Sequence, residues 1–222
     1  MANHTFERAV ARWLGELAGA LISVMFPGGC RLCNEVLTHA SRIPICETCL
    51  SSFSVVPPQH CSVCGEPWSE SEAPALDSAR DMQLCRECQK HTYTFDAARS
   101  YGVYQGNLVR AVLLLKYEQI EPLGRWFARR LEEVVKREGE LLAADVVVPV
   151  PLHRGREKER GFNQVDLFAR PLAKHLRLPY RDALLIRKHP RPEKHLLRNE
   201  ERWEAVRGAF AMREGRRVSL AS

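Results

Sequence analysis

Eight cysteines carry the clearest chemical signal in this sequence, and all of them lie between residues 30 and 88. They form four Cys-x-x-Cys pairs, a spacing that folds the backbone into a knuckle with both sulfurs on one side. Two knuckles supply the four thiolates that a tetrahedral zinc ion requires, with no position left for water. We therefore expect two structural zinc ions. Their predicted ligands are Cys30, Cys33, Cys46, Cys49, Cys61, Cys64, Cys85 and Cys88.

The sequence leaves the pairing of the four knuckles open. Twelve residues separate the first knuckle from the second, and twenty separate the third from the fourth; both are close to zinc-ribbon spacings. Sequential pairing closes short loops, but a crossed pairing satisfies the same ligand count. A single zinc ion, an iron–sulfur cluster and redox use of the thiols are the alternatives to two zinc ions. Gly65, directly after Cys64, suits the tight turn of a knuckle.

The N-terminal segment copies a secretory signal only superficially. An apolar stretch from Leu17 to Phe26 follows two arginines, but Glu7 and Glu16 interrupt the region. Apolar residues at helical spacing predict an amphipathic helix over residues 1–26, packed on the protein itself or, as the alternative, on a membrane surface. Without a signal we expect a cytoplasmic location. No apolar run approaches the roughly 18 to 20 residues that span a bilayer, so no integral membrane segment is predicted.

The positive charge of the chain is confined to its C-terminal third. Residues 1–150 carry 15 basic and 18 acidic side chains, whereas residues 151–222 carry 18 basic and 9 acidic ones. The net charges are −3 and +9, within a total of +6. A concentrated positive segment favours a polyanionic partner such as nucleic acid or a phosphorylated small molecule. A solvated, arginine-rich surface is the alternative of equal weight.

After Cys88 the pattern changes to alternating strands and helices, which predicts an α/β domain. With 45% hydrophobic and 27% charged residues, the 222-residue chain suits one medium domain or two small ones and is not disordered. The apolar, β-branched segment 145–149 has the composition of an interior parallel strand. Further strands are predicted over 95–104 and 184–187, and helices over 107–117, 123–137 and 161–176.

A predicted loop with four cationic side chains, residues 153–160, follows the strand 145–149. In α/β sheets, ligands bind beyond the carboxyl ends of strands, near helix N-termini whose amides favour anions. The position therefore favours a phosphate or pyrophosphate site, since charge-assisted hydrogen bonds would hold the anion. In the alternative of a solvated turn, Glu157 and Glu159 offset part of the charge. The four cations are Arg154, Arg156, Lys158 and Arg160.

Five short motifs follow the four knuckles in order. They are Tyr101-Gly102-Val103-Tyr104, Leu115-Lys116-Tyr117, Val148-Pro149-Val150-Pro151-Leu152, Arg160-Gly161-Phe162-Asn163-Gln164 and Arg207-Gly208-Ala209-Phe210. Each motif alone is weak, but the combination is specific and covers nearly the whole chain from Phe26 onward. It resembles the ComF/GntX family, whose members are DNA-uptake proteins with a double zinc ribbon and a phosphoribosyltransferase-like domain.

The resemblance implies a domain division and a ligand. A double zinc ribbon would occupy residues 27–92, and a type I phosphoribosyltransferase-like domain with a parallel sheet would occupy residues 93–222. The cationic loop would bind phosphoribosyl diphosphate, and residues 187–198 would belong to a variable hood over that site. The implied ligand-binding residues, together with the loop cation Arg156, are Lys116, Arg154, Arg160, Asn163 and Gln164, of which the last two support the loop.

The chain departs from the family pattern near its end. Lys194 and Ala205 stand where Gln and Asn are expected, and the chain reads Ser219-Leu220-Ala221-Ser222 after Val218. The family continues there into an acidic pair and a Thr-Thr-Gly-rich loop, which in related phosphoribosyltransferases wraps the 5′-phosphate. We therefore expect a truncated or frameshifted domain that is not catalytic as written, or a natural end with a changed function. Mg²⁺ is expected only if the missing loop exists.

The first functional hypothesis is a ComF-like accessory protein of DNA uptake and natural transformation. It would bind single-stranded DNA, a phosphorylated ligand or both in the cytoplasm, beside a helicase-like partner of the uptake machinery. The residues support it through the +9 segment with interleaved Phe162, Trp203 and Phe210, although aromatic residues at that density are usually core. The alternatives are a phosphoribosyltransferase, if the true chain extends past Ser222, and a zinc-ribbon interaction module with a vestigial domain.

Overall fold

The computed structural model describes residues 28–37, 42–68, 84–90, 93–190 and 206–213. Within these ranges the chain forms helices joined by irregular segments, one 3₁₀ turn (Gly139–Leu142) and two short strands. The elements are α1 (Glu47–Ser51), α2 (Arg86–Lys90), α3 (Gly106–Glu118), α4 (Glu121–Glu138), α5 (Arg154–Arg160), α6 (Asp166–Leu176), β1 (Leu185–Arg187) and β2 (Phe210–Met212). The predicted N-terminal helix, and the hood segment beyond residue 190, lie outside the described residues. Within the described part of the chain, no helix combines the length and apolar character needed to cross a membrane.

The described residues group into two compact units. The first contains residues 28–37, 42–54 and 102–113, and the second contains residues 55–68, 84–90, 93–101, 114–190 and 206–213. Each unit contains one cluster of four cysteines. The predicted domain division between residues 92 and 93 stays a prediction.

In the first unit, the start of α3 is held next to the chain that follows α1. The Val103 N–H donates to the carbonyl oxygen of Ser54 at 2.8 Å. Gly102 permits this approach, because a Cβ at that position would lie 2.8 Å from the same oxygen. Leu108 and Ala111 of α3 are buried. The predicted helix over 107–117 is thus confirmed as α3.

In the second unit, α4 and α6 pack closely through small residues. Gly124 lies so near α6 that an added Cβ would meet the carbonyl oxygen of Leu167 at 2.6 Å. That carbonyl lacks its usual intrahelical donor, because Pro171 has no N–H. The predicted helix over 123–137 is confirmed as α4. The buried residues of the two helices are Leu123, Gly124, Phe127, Ala128 and Val134 in α4 and Ala169 and Ala173 in α6.

Regular β-structure in the described residues is limited to one antiparallel pair. Leu185 of β1 lies opposite Met212 of β2, and Arg187 lies opposite Phe210. This confirms the predicted strand over 184–187. Elsewhere, an isolated parallel bridge joins Val147 to Tyr180 within the predicted strand 145–149. The described fold is therefore a mixture of helices, a small two-stranded sheet and cysteine ribbons, and a phosphoribosyltransferase-like parallel sheet is not confirmed.

The predicted strand over 95–104 is wrong. These residues form turns and irregular chain, and their backbone makes separate hydrogen bonds instead of a continuous ladder. The Ala98 N–H donates to the carbonyl oxygen of Val63 at 2.7 Å, and the Val56 N–H donates to the carbonyl oxygen of Tyr101 at 3.2 Å. Backbone hydrogen bonds to residues on either side of the third knuckle therefore hold this segment in place.

The prediction of a loop over 153–160 is also wrong, because the segment is the helix α5. The Nδ1 of His153 caps its start by accepting the Gly155 N–H, and Arg156 pairs with Glu159 one turn later at 2.8 Å. Gly161 ends the helix with φ +80°, a conformation that favours glycine. Since Gly161 interrupts the helical path, the next helix starts at Asp166 and not at residue 161 as predicted.

A buried ion pair joins the chain around the third knuckle to the end of α4, all within the second unit. Arg99 Nε donates to Glu138 Oε2 at 2.7 Å, and the two side chains are only 5% and 10% exposed. Arg99 Nη2 also donates to the Ser62 carbonyl at 3.0 Å. Burial alone would raise the pKa of the Glu138 carboxyl, but hydrogen bonds from Arg99 and Arg137 outweigh it and lower that pKa.

The substitution Glu138→Gln should destabilise the protein by about 3 kcal/mol at pH 7, since it leaves the Arg99 charge buried without a counter-charge. A carboxyl whose folded pKa is lowered contributes stability above its unfolded pKa, and this contribution is lost as the pH falls through the folded pKa. The difference in free energy of unfolding between wild type and variant should therefore become smaller below about pH 4.5. Urea unfolding at several pH values measures it. The exposed Glu133→Gln is the matched control; equal stability of wild type and Glu138→Gln at pH 7 would contradict the expectation.

Candidate metal centres and anion site

The first four cysteines form a cluster with the dimensions of a metal site. The Sγ atoms of Cys30, Cys33, Cys46 and Cys49 all lie within 4.8 Å of one another. The Cys33 and Cys46 sulfurs are 3.7 Å apart. Zinc–sulfur bonds of about 2.3 Å place the corners of a tetrahedron about 3.8 Å apart. The cluster therefore fits a four-thiolate zinc ion.

The last four cysteines form a second cluster of the same size. The Sγ atoms of Cys61, Cys64, Cys85 and Cys88 lie within 4.8 Å of one another, and those of Cys64 and Cys85 are 3.6 Å apart. The first knuckle therefore shares a site with the second knuckle, and the third shares a site with the fourth. This settles the pairing that the sequence left open, in favour of the sequential arrangement. Two four-cysteine groups fit two zinc ribbons, as predicted.

Both ribbons use the same local construction in their first knuckle. The Cys30 N–H donates to the carbonyl of Glu35 at 2.7 Å, and the Cys61 N–H donates to that of Glu66 at 2.9 Å. The residue after the second cysteine has positive φ in both knuckles: +64° at Asn34 and +72° at Gly65. Asn and Gly tolerate this conformation best. The turn predicted at Gly65 is thus confirmed.

The second knuckle of each ribbon is the start of a short helix. Cys46 precedes α1, which contains Cys49, and Cys85 precedes α2, which contains Cys88. The Cys46 N–H points at Cys30 Sγ at 3.3 Å, and the Cys85 N–H points at Cys61 Sγ at 3.3 Å. The two ribbons are therefore repeats of one design, in which a turn supplies two sulfurs and a helix start supplies the other two.

The protonation of the thiols indicates that each cluster needs a cation. Burial would raise the pKa of Cys30 and Cys61, but backbone N–H groups, led by those of Cys46 and Cys85, outweigh it and lower both pKa values to about 6. Burial and the neighbouring thiols raise the pKa of Cys49 and Cys88. Four thiolates at this separation repel one another unless a divalent cation binds them. When bound, zinc would supply that charge and cross-link the chain.

Two of the predicted anion-site residues line a cavity of about 670 Å³ in the second unit. Arg154 contributes its side chain from α5, and Asn163 lies at the junction before α6. Further charged side chains in the lining are Glu157, Asp166, Asp182, Arg187, Lys188 and Arg213. The polar lining suits a ligand with both anionic groups and hydroxyls, since the carboxylates can accept hydrogen bonds.

Asn163 has an architectural role at this cavity. It is buried, at 7% exposure, and its Nδ2 donates to the Val150 carbonyl at 3.1 Å. Its Oδ1 accepts the Val165 N–H at 3.2 Å. Asn163 therefore ties the end of the segment 145–150 to the start of α6. The supporting role toward residues 153–160 that the resemblance implies for Asn163 stays a prediction.

Three other predicted residues gather around Tyr117 and are absent from the cavity lining. Lys116 Nζ lies 5.1 Å from the centre of the Tyr117 ring, and the Arg160 guanidinium carbon lies 5.4 Å from it. Arg160 also donates to the Gln164 side chain. A hydrogen bond from Lys116, together with its charge and that of Arg160, lowers the pKa of Tyr117. We call Lys116, Tyr117, Arg160 and Gln164 the Tyr117 cluster.

The sixth predicted residue belongs to neither group. Arg156 is exposed and makes a two-point ion pair with Glu159 in α5, at 2.9 and 2.8 Å. Sequence reasoning missed Arg213, and it placed Lys188 in the hood over the site without naming it as a ligand-binding residue. It named Tyr117 within the motif 115–117 but assigned no role to the ring.

A variant lacking two ligands of one ribbon tests both the metal and the pairing. Cys33→Ser/Cys49→Ser should lower the zinc content from two ions to one per chain, because both residues belong to the first cluster. Cys49→Ser/Cys88→Ser should lower it to none. Elemental analysis by mass spectrometry gives the counts, with Ser51→Ala as a control beside a ligand. Loss of both ions from the first variant would contradict sequential pairing.

Comparison with known proteins agrees with the two cysteine ribbons. Residues 21–89 match the family described as the double zinc ribbon domain. The chain is 27% identical over 178 residues to Competence protein F of Haemophilus influenzae, covering 78% of this chain and 72% of that protein. It is 29% identical over 189 residues to the DNA utilization protein YhgH of Salmonella typhimurium, covering 84% and 78%. It is 26% identical over 191 residues to YhgH of Escherichia coli K12, with the same coverage.

No solved structure matches the chain significantly. The curated relatives nevertheless match it over about four-fifths of its length, and the ribbon match coincides with the two cysteine clusters. Together these matches support a ComF-family protein, the family that the motifs of this sequence resemble.

Proposed function

We propose that this protein is an accessory protein of DNA uptake and natural transformation that binds single-stranded DNA in the cytoplasm. Its relatives are named Competence protein F and DNA utilization protein, and they align with most of the chain. The observation that best supports DNA binding is the charge and exposure of α5. This helix has four cationic side chains, and none of its residues is buried.

The composition of α5 distinguishes it from a core helix. A helix without an apolar face gains little from packing, and this one adds a net charge of +2 to a segment of +9. Its cations are on the protein surface, where phosphate contacts release counterions and bind nucleic acid without sequence preference. Binding through the phosphate backbone would let the protein bind strands whatever their sequence.

A second candidate ligand is a phosphorylated sugar such as phosphoribosyl diphosphate, bound in the 670 Å³ cavity. Arg154, Lys188 and Arg213 in its lining would contact the phosphates. Asp166 and Asp182 would accept hydrogen bonds from sugar hydroxyls. The parallel bridge between Val147 and Tyr180 supports a phosphoribosyltransferase-like arrangement of residues 93–222 as part of this proposal.

DNA binding should be steeply salt-dependent and should require α5. Fluorescence anisotropy with a labelled oligothymidylate of about 16 nucleotides measures the affinity at several salt concentrations. Arg154→Glu/Arg156→Glu/Arg160→Glu should weaken binding by at least about tenfold more than Arg125→Glu/Arg129→Glu/Lys136→Glu. The second set makes the same change of charge on exposed positions of α4. No binding at about 50 mM salt, or equal losses in both variants, would contradict the proposal.

Isothermal titration with phosphoribosyl diphosphate tests the cavity, with and without Mg²⁺. Lys188→Ala and Arg213→Ala should each weaken binding about tenfold, because each removes a hydrogen bond to a charged group. Lys174→Ala, at an exposed position of α6 that is not part of the cavity lining, is the control. Absence of heat at millimolar ligand would exclude this second candidate.

A further inference from the structure

Tyr117 is an exposed aromatic side chain with two cations near its ring. It lies one residue before the end of α3 and is 60% exposed. Lys116 Nζ and the Arg160 guanidinium lie 5.1 and 5.4 Å from the ring centre. Tyrosine at this exposure gains little from burial, so packing does not explain why the ring lies here.

Arg160 of the Tyr117 cluster is itself held in place. Gln164 accepts a hydrogen bond from Arg160 Nη1, which fixes the guanidinium beside the ring. Tyr117 belongs to α3 and Arg160 to α5, and Gln164 belongs to the turn between α5 and α6, so a third segment orients the cation that α5 places at the ring. The charged groups that lower the pKa of Tyr117 are Lys116, Arg160 and Arg156, in that order. The ring therefore stands in a positive field.

We propose that Tyr117 is a stacking platform for the bases of single-stranded DNA, with Lys116 and Arg160 contacting the adjacent phosphates. The inference rests on the proposed function and assigns it a specific contact. A ring that is 60% exposed offers π surface to a base, and the two cations over it can contact the phosphates next to that base. In this assignment Gln164 is a positioning residue that acts through Arg160.

A single strand fits the cluster better than a duplex does. In a duplex each base is already stacked between its neighbours, so one ring on the protein surface has no base face to contact. In a single strand the base faces are accessible, and every base has one, so stacking on Tyr117 is independent of sequence. A protein with this platform should therefore prefer single strands to duplexes of the same length.

The test compares two strands that have the same phosphates and differ in their bases. One is a labelled oligothymidylate of about 16 nucleotides, and the other is an abasic strand of equal length. Tyr117→Ala should weaken binding of the oligothymidylate about tenfold and leave binding of the abasic strand unchanged. Tyr117→Trp should bind the oligothymidylate at least as tightly as wild type. Tyr104→Ala removes a tyrosine of similar exposure, 66%, and should have no effect.

Substitution of Arg160 should affect both strands, unlike substitution of Tyr117. Arg160→Ala should weaken binding of both strands and lower the salt slope by about 0.7, the value for one phosphate contact to a single strand. Gln164→Ala should also weaken binding of both strands, but by less than Arg160→Ala. Thermal unfolding of each variant excludes loss of fold as the cause, and Tyr117→Phe, which retains the ring, should keep wild-type affinity.

The outcomes separate the platform from the function on which it rests. If wild type does not bind the oligothymidylate at about 50 mM salt, the proposed function and the platform both fail. If wild type binds and Tyr117→Ala binds equally well, only the platform is overturned. Equal losses on the thymidylate and abasic strands, or tighter binding to a duplex, would also overturn it.

Discussion

Four thiolates within 4.8 Å of one another cannot all carry charge unless a cation lies between them, and both ribbons are built around that requirement. The described ribbon segments bury few large apolar side chains, among them Leu32, Ile45, Phe53 and Val56. Such a small core cannot offset the entropy of ordering the chain, so metal binding has to contribute the folding free energy. The repeated knuckle, with its N–H groups aimed at sulfur, prepares the site for the ion at little cost in strain.

In the second unit, hydrogen bonds connect the second cysteine cluster to the helices. The carbonyl of Val63, between two ligands, accepts the Ala98 N–H, and that of Ser62 accepts a hydrogen bond from Arg99. Arg99 in turn binds Glu138 at the end of α4, which packs on α6. A buried ion pair is a weak source of net stability, but it admits only one arrangement of its partners. We therefore assign Arg99 the role of fixing the second ribbon to α4.

The parts of this protein that sequence predicts are those fixed by local spacing. Cys-x-x-Cys pairs determine the ligands, and apolar periodicity determines α3 and α4, because both signals operate within a few residues. The pairing of the knuckles and the conformation of residues 95–104 both depend on contacts between distant segments. The sequence therefore leaves the knuckle pairing open, and the strand predicted over 95–104 is wrong. Residues 153–160 form a helix and not the predicted loop, because the His153 cap and the Arg156–Glu159 pair stabilise a helical segment that has no apolar periodicity.

The helix α5 explains why one cationic segment can serve two ligands. Successive residues of an α-helix are rotated by about 100°, so Arg154 and Glu157 project on similar sides while Arg160 projects about 120° away from Arg154. Accordingly, Arg154 and Glu157 line the cavity, and Arg160 contacts Tyr117 outside the lining. A loop would not hold its cations in two fixed directions. The helical conformation thus divides the basic segment into a cavity-facing cation, suited to a small phosphorylated ligand, and a surface cation beside an aromatic ring, suited to a strand.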